Sequence, residues 1–283
     1  MQPIIEANGL KKVYKDFTLG PLHLSIPAGC ITGFIGENGA GKSTTIKLLL
    51  GLVHRDAGTC ALLGEDSEQI RPSTFEEIGV VMSESGFSPL LTAKQIGGIM
   101  RGIYKHWDAH QYEALCKRFQ LPEKKKLDDY SHGMRRKLDI AVALSHGARL
   151  LILDEATSGL DPIVRDEILD VLLDFIQQED HAVLLSSHIL SDLEKICDYI
   201  AFIHKGQLLF FEQKDTLLER FCVAKGSEEA FAAIDPRFVH GMRRNRFGVE
   251  ALCEREGVKH SALVCDPANI EDIMIFHIKE EQV

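Results

Sequence analysis

An α/β fold with a mostly parallel sheet, a helical insertion and a small C-terminal α+β appendage is predicted, and three observations carry it. From Arg149 to Lys214 strand-like apolar runs alternate with helical stretches, the pattern of a parallel sheet with helices on its faces. Residues 92 to 147 read as mostly helical, with Tyr112, Leu115, Cys116 and Phe119 at helical spacing. Near Cys222 the composition shifts: Gly, Ser and Glu precede two strand-like pieces, at about 246–253 and 261–265, and a last helix that starts near Asn269. A chain of 283 residues holds one large domain and a small one. The expected division is 1–221, with a helical subdomain at about 84–147, and 222–283.

Taken in order, Ile4 to Leu63 shows short apolar runs punctuated by Gly and Pro, which read as strands, and turns helical after Gly41. The strand-like Cys30 to Ile35 leads directly into Gly36-Glu37-Asn38-Gly39-Ala40-Gly41-Lys42-Ser43, with Thr44 next. This is the GxxxxGK[ST] pattern in the context it requires, strand before and helix after, and it makes the large domain a P-loop NTPase core. Glycines let backbone N–H groups curl around a phosphate chain, and the helix that follows aims its partly positive N-terminus at the same anion. In that arrangement Lys42 neutralises the β and γ phosphates and the Ser43 hydroxyl ligates Mg²⁺.

The run Leu150 to Leu153 is uniformly apolar and delivers Asp154 and Glu155 at its carboxyl end, where ligands of open α/β sheets bind. Two adjacent acids there are costly unless a cation or hydrogen bonds compensate. Mg²⁺ near Asp154 is the natural partner, which leaves Glu155 to accept a proton from, or orient, an attacking water. A second buried strand, Val183 to Leu185, is followed by Ser186-Ser187-His188; from there an imidazole reaches toward a γ phosphate.

Composition removes several classes. The formal net charge of −10 opposes broad binding to nucleic acid, and no nucleic-acid partner is expected. The seven cysteines are scattered and form no CxxC pair, which argues against disulfides and against a zinc site. No apolar run approaches the roughly 18 residues that span a bilayer, and the Met1 start lacks a signal-peptide pattern. His106 and His110 stand four apart, without a further donor placed to complete a metal set.

Four motifs in one order, the phosphate loop, LLILDE at 150–155, SGLD at 158–161 and SSH at 186–188, resemble the ATP-binding-cassette family over roughly residues 4–220. The resemblance implies an ATPase that uses ATP with Mg²⁺, with Glu155 and His188 catalytic. It also implies a homodimer closing around ATP, an integral membrane permease as partner, and a peripheral location at the cytoplasmic face of a bacterial membrane. Tyr14 matches the family's adenine-stacking aromatic. Ser131-His132-Gly133-Met134 stands where the family signature stands, so Ser131, His132 and Gly133, with Asp161, are expected to contact the nucleotide held by the other subunit. Ser131 also reads as the N-cap of a helix burying Leu138, Ala141 and Val142.

Departures are visible. Tyr130, His132 and Met134 replace the commoner Leu, Gly and Gln, and the segment Val80 to Glu84 offers Ser83 or Glu84 where the family usually has a metal-linked Gln. Arg135, Arg136 and Lys137 occupy the first turns of the signature helix, where the macrodipole disfavours cations; a nearby anion or outward solvation would relieve this. Signatures of the SxGM type resemble those of simple bacterial exporters of antimicrobial or amphipathic peptides and drugs. Phe87, Leu90, Leu91, Ile96, Ile99 and Met100 are candidates to receive a permease helix. The alternatives are a cassette ATPase acting on ribosome or nucleic acid, a regulatory ATP-binding protein, and a small-molecule kinase. The kinase would share the phosphate loop but not the later motifs.

Overall fold

The computed structural model describes residues 3–246 and 248–280. The Met1 start, the last three residues of the expected appendage and Phe247, within the strand expected at about 246–253, lie outside the described residues. Two compact units divide the chain, one ending at Phe211 and the other beginning at Glu212. The expected boundary at 221/222 is thus displaced. Cys222 lies inside the strand Phe221–Gly226, and the helix Lys214–Arg220 packs on that strand.

The first unit is organised on a six-stranded sheet in the order Gln207–Gln213, Tyr199–His204, Cys30–Ile35, Ala182–Ser186, Leu150–Asp154, Ile78–Val81. The pairings from Tyr199–His204 through to Ile78–Val81 are all parallel. Cys30–Ile35, Leu150–Asp154 and Ala182–Ser186 are buried at every position, as strands covered on both faces must be. The register then decides where chemistry can occur. Ser186 lies opposite Phe34 on one side and Asp154 on the other, so the phosphate loop, the carboxylate pair and the Ser-Ser-His segment leave the sheet at one edge. The early strands form a separate antiparallel sheet, ordered Thr18–Ile26, Ile5–Val13, Ala57–Leu62, Glu65–Asp66.

The insertion contains the helices Ala93–Ile103, Ala109–Arg118 and His132–Leu144. Each has its own start signal: a capping box from Thr92 and Gln95, then side-chain caps from Asp108 and Ser131. His106 lies in the turn between the first two, so its four-residue spacing from His110 is not a helical one. Among the described residues no helix is long and apolar enough to cross a membrane.

The second unit is an antiparallel sheet ordered Val239–Asn245, Gly248–Glu254, Phe221–Gly226, Val264–Pro267. The last helix, Ile270–Glu280, packs on the first two of these strands. Its core gathers Cys222, Ala224, Phe231, Val249, Ala251 and Cys253.

Candidate active site

The phosphate loop connects the buried Cys30–Ile35 strand to the helix Lys42–Leu49. Two of its glycines are required by the fold itself. A Cβ on Gly36 would stand 2.4 Å from the Ile203 carbonyl oxygen, and Gly41 holds φ at +115°, a conformation that L side chains rarely adopt. Lys42 is buried, with Nζ donating to the carbonyls of Gly36 at 2.7 Å and Glu37 at 3.2 Å. The ammonium is thereby folded back over its own loop, 3.6 Å from Glu155 Oε1.

Asp154 is fully buried; its Oδ1 accepts from the Ser186 hydroxyl at 2.6 Å. Its Oδ2 is buried and finds no hydrogen-bond partner among the described residues. An orphaned carboxylate oxygen at this depth is unfavourable on its own. The Ser43 hydroxyl lines the cleft; it and the Asp154 carboxylate offer oxygen donors, the kind that suit Mg²⁺. Glu155 follows with φ at +53°, a left-handed conformation that costs a non-Gly residue on the order of 1–3 kcal/mol and is typical of functional sites. Its N–H donates to the Ser186 hydroxyl and carbonyl, both at 3.1 Å. Those bonds turn the carboxylate toward His188, whose Nδ1 lies 2.6 Å from Glu155 Oε2.

These groups border a cleft of about 490 Å³ lined by Glu37, Asn38, Gly39, Gly41, Lys42, Ser43 and Thr44 on one side and Glu155, Ser158 and His188 on the other. Four further side chains reach it: Phe17, Ser83, His132 and Arg136. Tyr14 is not among the lining residues. It sits exposed at a turn closed by its N–H bonding to the Phe17 carbonyl at 2.8 Å, with Lys12 over its ring. Glu84 lines a neighbouring groove instead.

The signature segment folds as its sequence suggests. Ser131 caps the helix by accepting from Met134 N–H at 3.2 Å. His132 Nε2 is 3.2 Å from the Ser158 carbonyl, which brings its ring to the cleft of its own chain. Ser131 and Gly133 do not line that cleft. Asp161 caps the helix Pro162–Phe175, accepting from Ile163 and Val164 N–H at 3.1 and 3.0 Å.

The three cations after the signature are matched in different ways. Arg135 donates to the Leu127 and Asp128 carbonyls, and Lys137 pairs with Glu167. Arg136, almost fully buried, grips the carbonyls of Met82 and Ser83 and lies 3.9 Å from Asp139. The helix therefore holds the Ser83 loop by a planar fork of donors, a geometry particular to guanidinium. Sequence reasoning assigned Arg136 no partner, because its acceptors are main-chain carbonyls 53 and 54 positions away.

Behind this grip, burial pushes the Asp139 carboxyl up to about 6, against the hydrogen bond from Ser85 at 2.7 Å and the charges of Arg136 and His132. A carboxyl raised in the folded state binds its proton more tightly there than in the unfolded chain. Its contribution is thus fully present below the unfolded value of about 3.9 and is lost as pH rises through about 6. Wild type is expected to gain thermal stability relative to Asp139→Asn as pH falls from about 7 to about 5. A difference in Tm that does not change with pH would refute this.

A second concavity, of about 720 Å³, is lined by Phe75, Val80, Met82, Phe87, Met100 and Ile103 among others. Of the apolar candidates for a partner helix, Phe87 and Met100 line it, and Leu90 and Ile99 are exposed. Ile96 is 0% exposed and belongs to the core; its position on the inner side of the Ala93–Ile103 helix removes it from that set.

A family model described as ABC transporter matches residues 19–158. The bacitracin transport ATP-binding protein BcrA of Bacillus licheniformis is 36% identical over 213 residues, covering 74% of this chain and 69% of that protein. The linearmycin resistance ATP-binding protein LnrL of Bacillus subtilis (strain 168) is 33% identical over 224 residues, covering 77% and 71%. Among solved structures, an ATP-binding subunit of an ABC transporter is 26% identical with a TM-score of 0.69, over 76% of this chain and 91% of that one. A dimeric ATP-binding cassette in a post-hydrolysis state, bound to ADP and Pi, shares the fold at 19% identity and a TM-score of 0.66, over 74% and 98%. The chain belongs to the ATP-binding subunits of the ABC transporter family, the ATPases that power membrane transporters.

Proposed function

We propose that the Lys42–Glu155–His188 cleft binds and hydrolyses ATP, and that a second copy of the chain closes it. The observation that carries this is the convergence of those three side chains with Asp154 at one edge of the parallel sheet. The backbone N–H groups of Gly36 to Thr44 receive the β and γ phosphates, and Lys42 turns from its own loop carbonyls to the phosphate oxygens. Tyr14 offers its exposed ring to the adenine, close in sequence to Phe17 at the cleft wall. Ser43 and Asp154, with Ser83 or Glu84 at the usual loop position, would hold a Mg²⁺ ion, which would supply charge neutralisation at the phosphates. Glu155 accepts the proton of the attacking water, and His188, bonded to Glu155, orients that carboxylate and faces the γ phosphate.

The partner copy brings Ser131 and Gly133 from the start of its signature helix. Among the described residues the Ser131 hydroxyl accepts from Met134 N–H, which leaves its proton to donate to an anion. In the same reading the partner's signature face also presents His132, while Asp161 acts through the helix turn it caps. Residues to about 211 form the nucleotide-binding domain, and the rest a separate small domain.

The chain works at the cytoplasmic face of a bacterial membrane, with the apolar groove around Phe87 and Met100 receiving a cytoplasmic helix of the permease. Burial of an aromatic and thioether surface of this kind suits an amphipathic partner helix. Export of peptide or drug-like cargo is supported by relatives whose names refer to bacitracin and linearmycin. The test is to express Glu155→Gln in the source organism, trap it with ATP and identify what co-purifies from gently solubilised membranes. One stoichiometric multi-span protein supports the reading. Ribosomes, nucleic acid or soluble partners alone would replace it with a non-transport or regulatory cassette.

A further inference from the structure

The second unit holds a cluster of donors that nucleotide chemistry does not use. His240 stands on the Val239–Asn245 strand, and His277 and Glu280 lie one turn apart on the last helix. Glu280 Oε2 is 3.3 Å from His240 Nδ1 and 3.5 Å from His277 Nδ1. One donor atom from each of the three residues falls within 4.8 Å of the others. An ion in tetrahedral coordination, with ligand bonds of about 2.0–2.1 Å, keeps its donor atoms about 3.3 Å apart. The two measured separations therefore match the edges of such a site.

The surroundings hold the donors in place. Glu254 Oε1 lies 3.2 Å from the other nitrogen of His240, Nε2. His240 thus lies between two carboxylates, Glu254 at Nε2 and Glu280 at Nδ1; with an ion on Nδ1, Glu254 would accept the Nε2–H, as the usual outer partner of a metal-bound histidine does. The fully buried Phe221 meets both imidazoles edge-on, at ring separations of 5.4 and 5.6 Å and interplanar angles of 90° and 87°. That contact limits rotation of both rings. Arg220, stacked on Phe221, is paired with Glu212 at 3.0 Å, so its charge is largely balanced beside the cluster. The histidines are mostly covered, at 19% and 17% side-chain exposure, while Glu280 at 46% opens the cluster to solvent.

We propose that His240, His277 and Glu280 form a binding site for a divalent transition ion of the Zn²⁺ class, oriented by Glu254, that clasps the last helix to its neighbouring strand. Two imidazoles and one carboxylate select such an ion over Mg²⁺ or Ca²⁺, which take oxygen sets. Three protein donors leave a fourth position for water. Because the ligands come from a strand and a helix, binding to the folded unit stabilises it by an amount that grows with the logarithm of the free-ion concentration once that exceeds Kd.

The purified full chain, titrated with Zn²⁺ alone against a chromophoric chelator, is expected to take up one equivalent. His240→Gln weakens that uptake by about a hundredfold or more and Glu254→Gln by about 10- to 100-fold. Neither is expected to change the circular dichroism of the metal-free chain. Co²⁺ in place of Zn²⁺ shows visible d–d bands without thiolate charge transfer. Absence of stoichiometric uptake, uptake unaffected by His240→Gln, or thiolate bands pointing to cysteines such as the exposed Cys265 would each overturn the proposal.

Discussion

Replacing Glu155 by Gln is expected to lower ATP turnover by about 10²- to 10⁴-fold, the range a positioned general base contributes, while ATP affinity stays within a few-fold of wild type. Gln keeps the size of the side chain and a carbonyl oxygen toward His188, so the contact at 2.6 Å and the left-handed backbone at φ +53° persist. What disappears is the ability to accept a proton. In the proposed reading the nucleotide is held by the phosphate loop and Lys42, which keeps its bonds to the Gly36 and Glu37 carbonyls when its ion pair with Glu155 at 3.6 Å is lost. Phosphate release and nucleotide binding, measured on the same preparation, separate the two effects. Turnover close to wild type, or loss of binding in step with turnover, would contradict this assignment.

The Asp154→Asn variant is expected to separate activity from stability in the opposite way to most core substitutions. Asp154 is 0% exposed, and among the described residues only one of its two carboxylate oxygens finds a hydrogen-bond partner. The amide retains an acceptor for the Ser186 hydroxyl and removes a buried charge whose second oxygen lacks a protein partner. Thermal stability without nucleotide should therefore hold or rise. Turnover should fall at least about a hundredfold, and nucleotide binding should lose its dependence on Mg²⁺, since an amide is a much poorer ligand for a hard cation. Differential scanning calorimetry paired with a Mg²⁺ titration of binding reads both. Destabilisation with retained turnover would make Asp154 a structural residue.

The parts of the site that could be read in the sequence are those whose chemistry is local. Gly36 to Ser43 is contiguous, and Asp154 and Glu155 follow a strand whose burial its composition already declares. His188 needed one further inference, that the strand before it neighbours the carboxylate strand, and the register of Ser186 against Asp154 supplies that. The parts that could not be read depend on contacts between segments remote in sequence. The bonds of Arg136 to Met82 and Ser83 leave no side-chain pattern, because carbonyls carry no residue identity. Phe17 lines the cleft only because the turn from Tyr14 to Phe17 folds as it does.

The second unit shows the same division. Its last helix and the strand Gly248–Glu254 were visible as short patterned runs, whereas the strand expected at about 261–265 meets the observed Val264–Pro267 only at residues 264 and 265. The strands Phe221–Gly226 and Val239–Asn245 were not: the first carries the composition shift itself, and the second carries Arg243 and Arg244 at exposed positions. In these two strands cross-strand pairing with Gly248–Glu254, and not local propensity, fixes the conformation.

The central claim is that one chain carries half of each ATP site and a second copy completes it. Size-exclusion chromatography with light scattering on Glu155→Gln tests this most directly, because a site that cannot hydrolyse ATP remains closed. The expected result is a dimer of the 31.6 kDa chain with Mg²⁺ and ATP, reverting to monomer with ADP or when Ser131→Arg blocks the signature face. A monomer with one ATP bound per chain would contradict the account, as would a dimer indifferent to nucleotide.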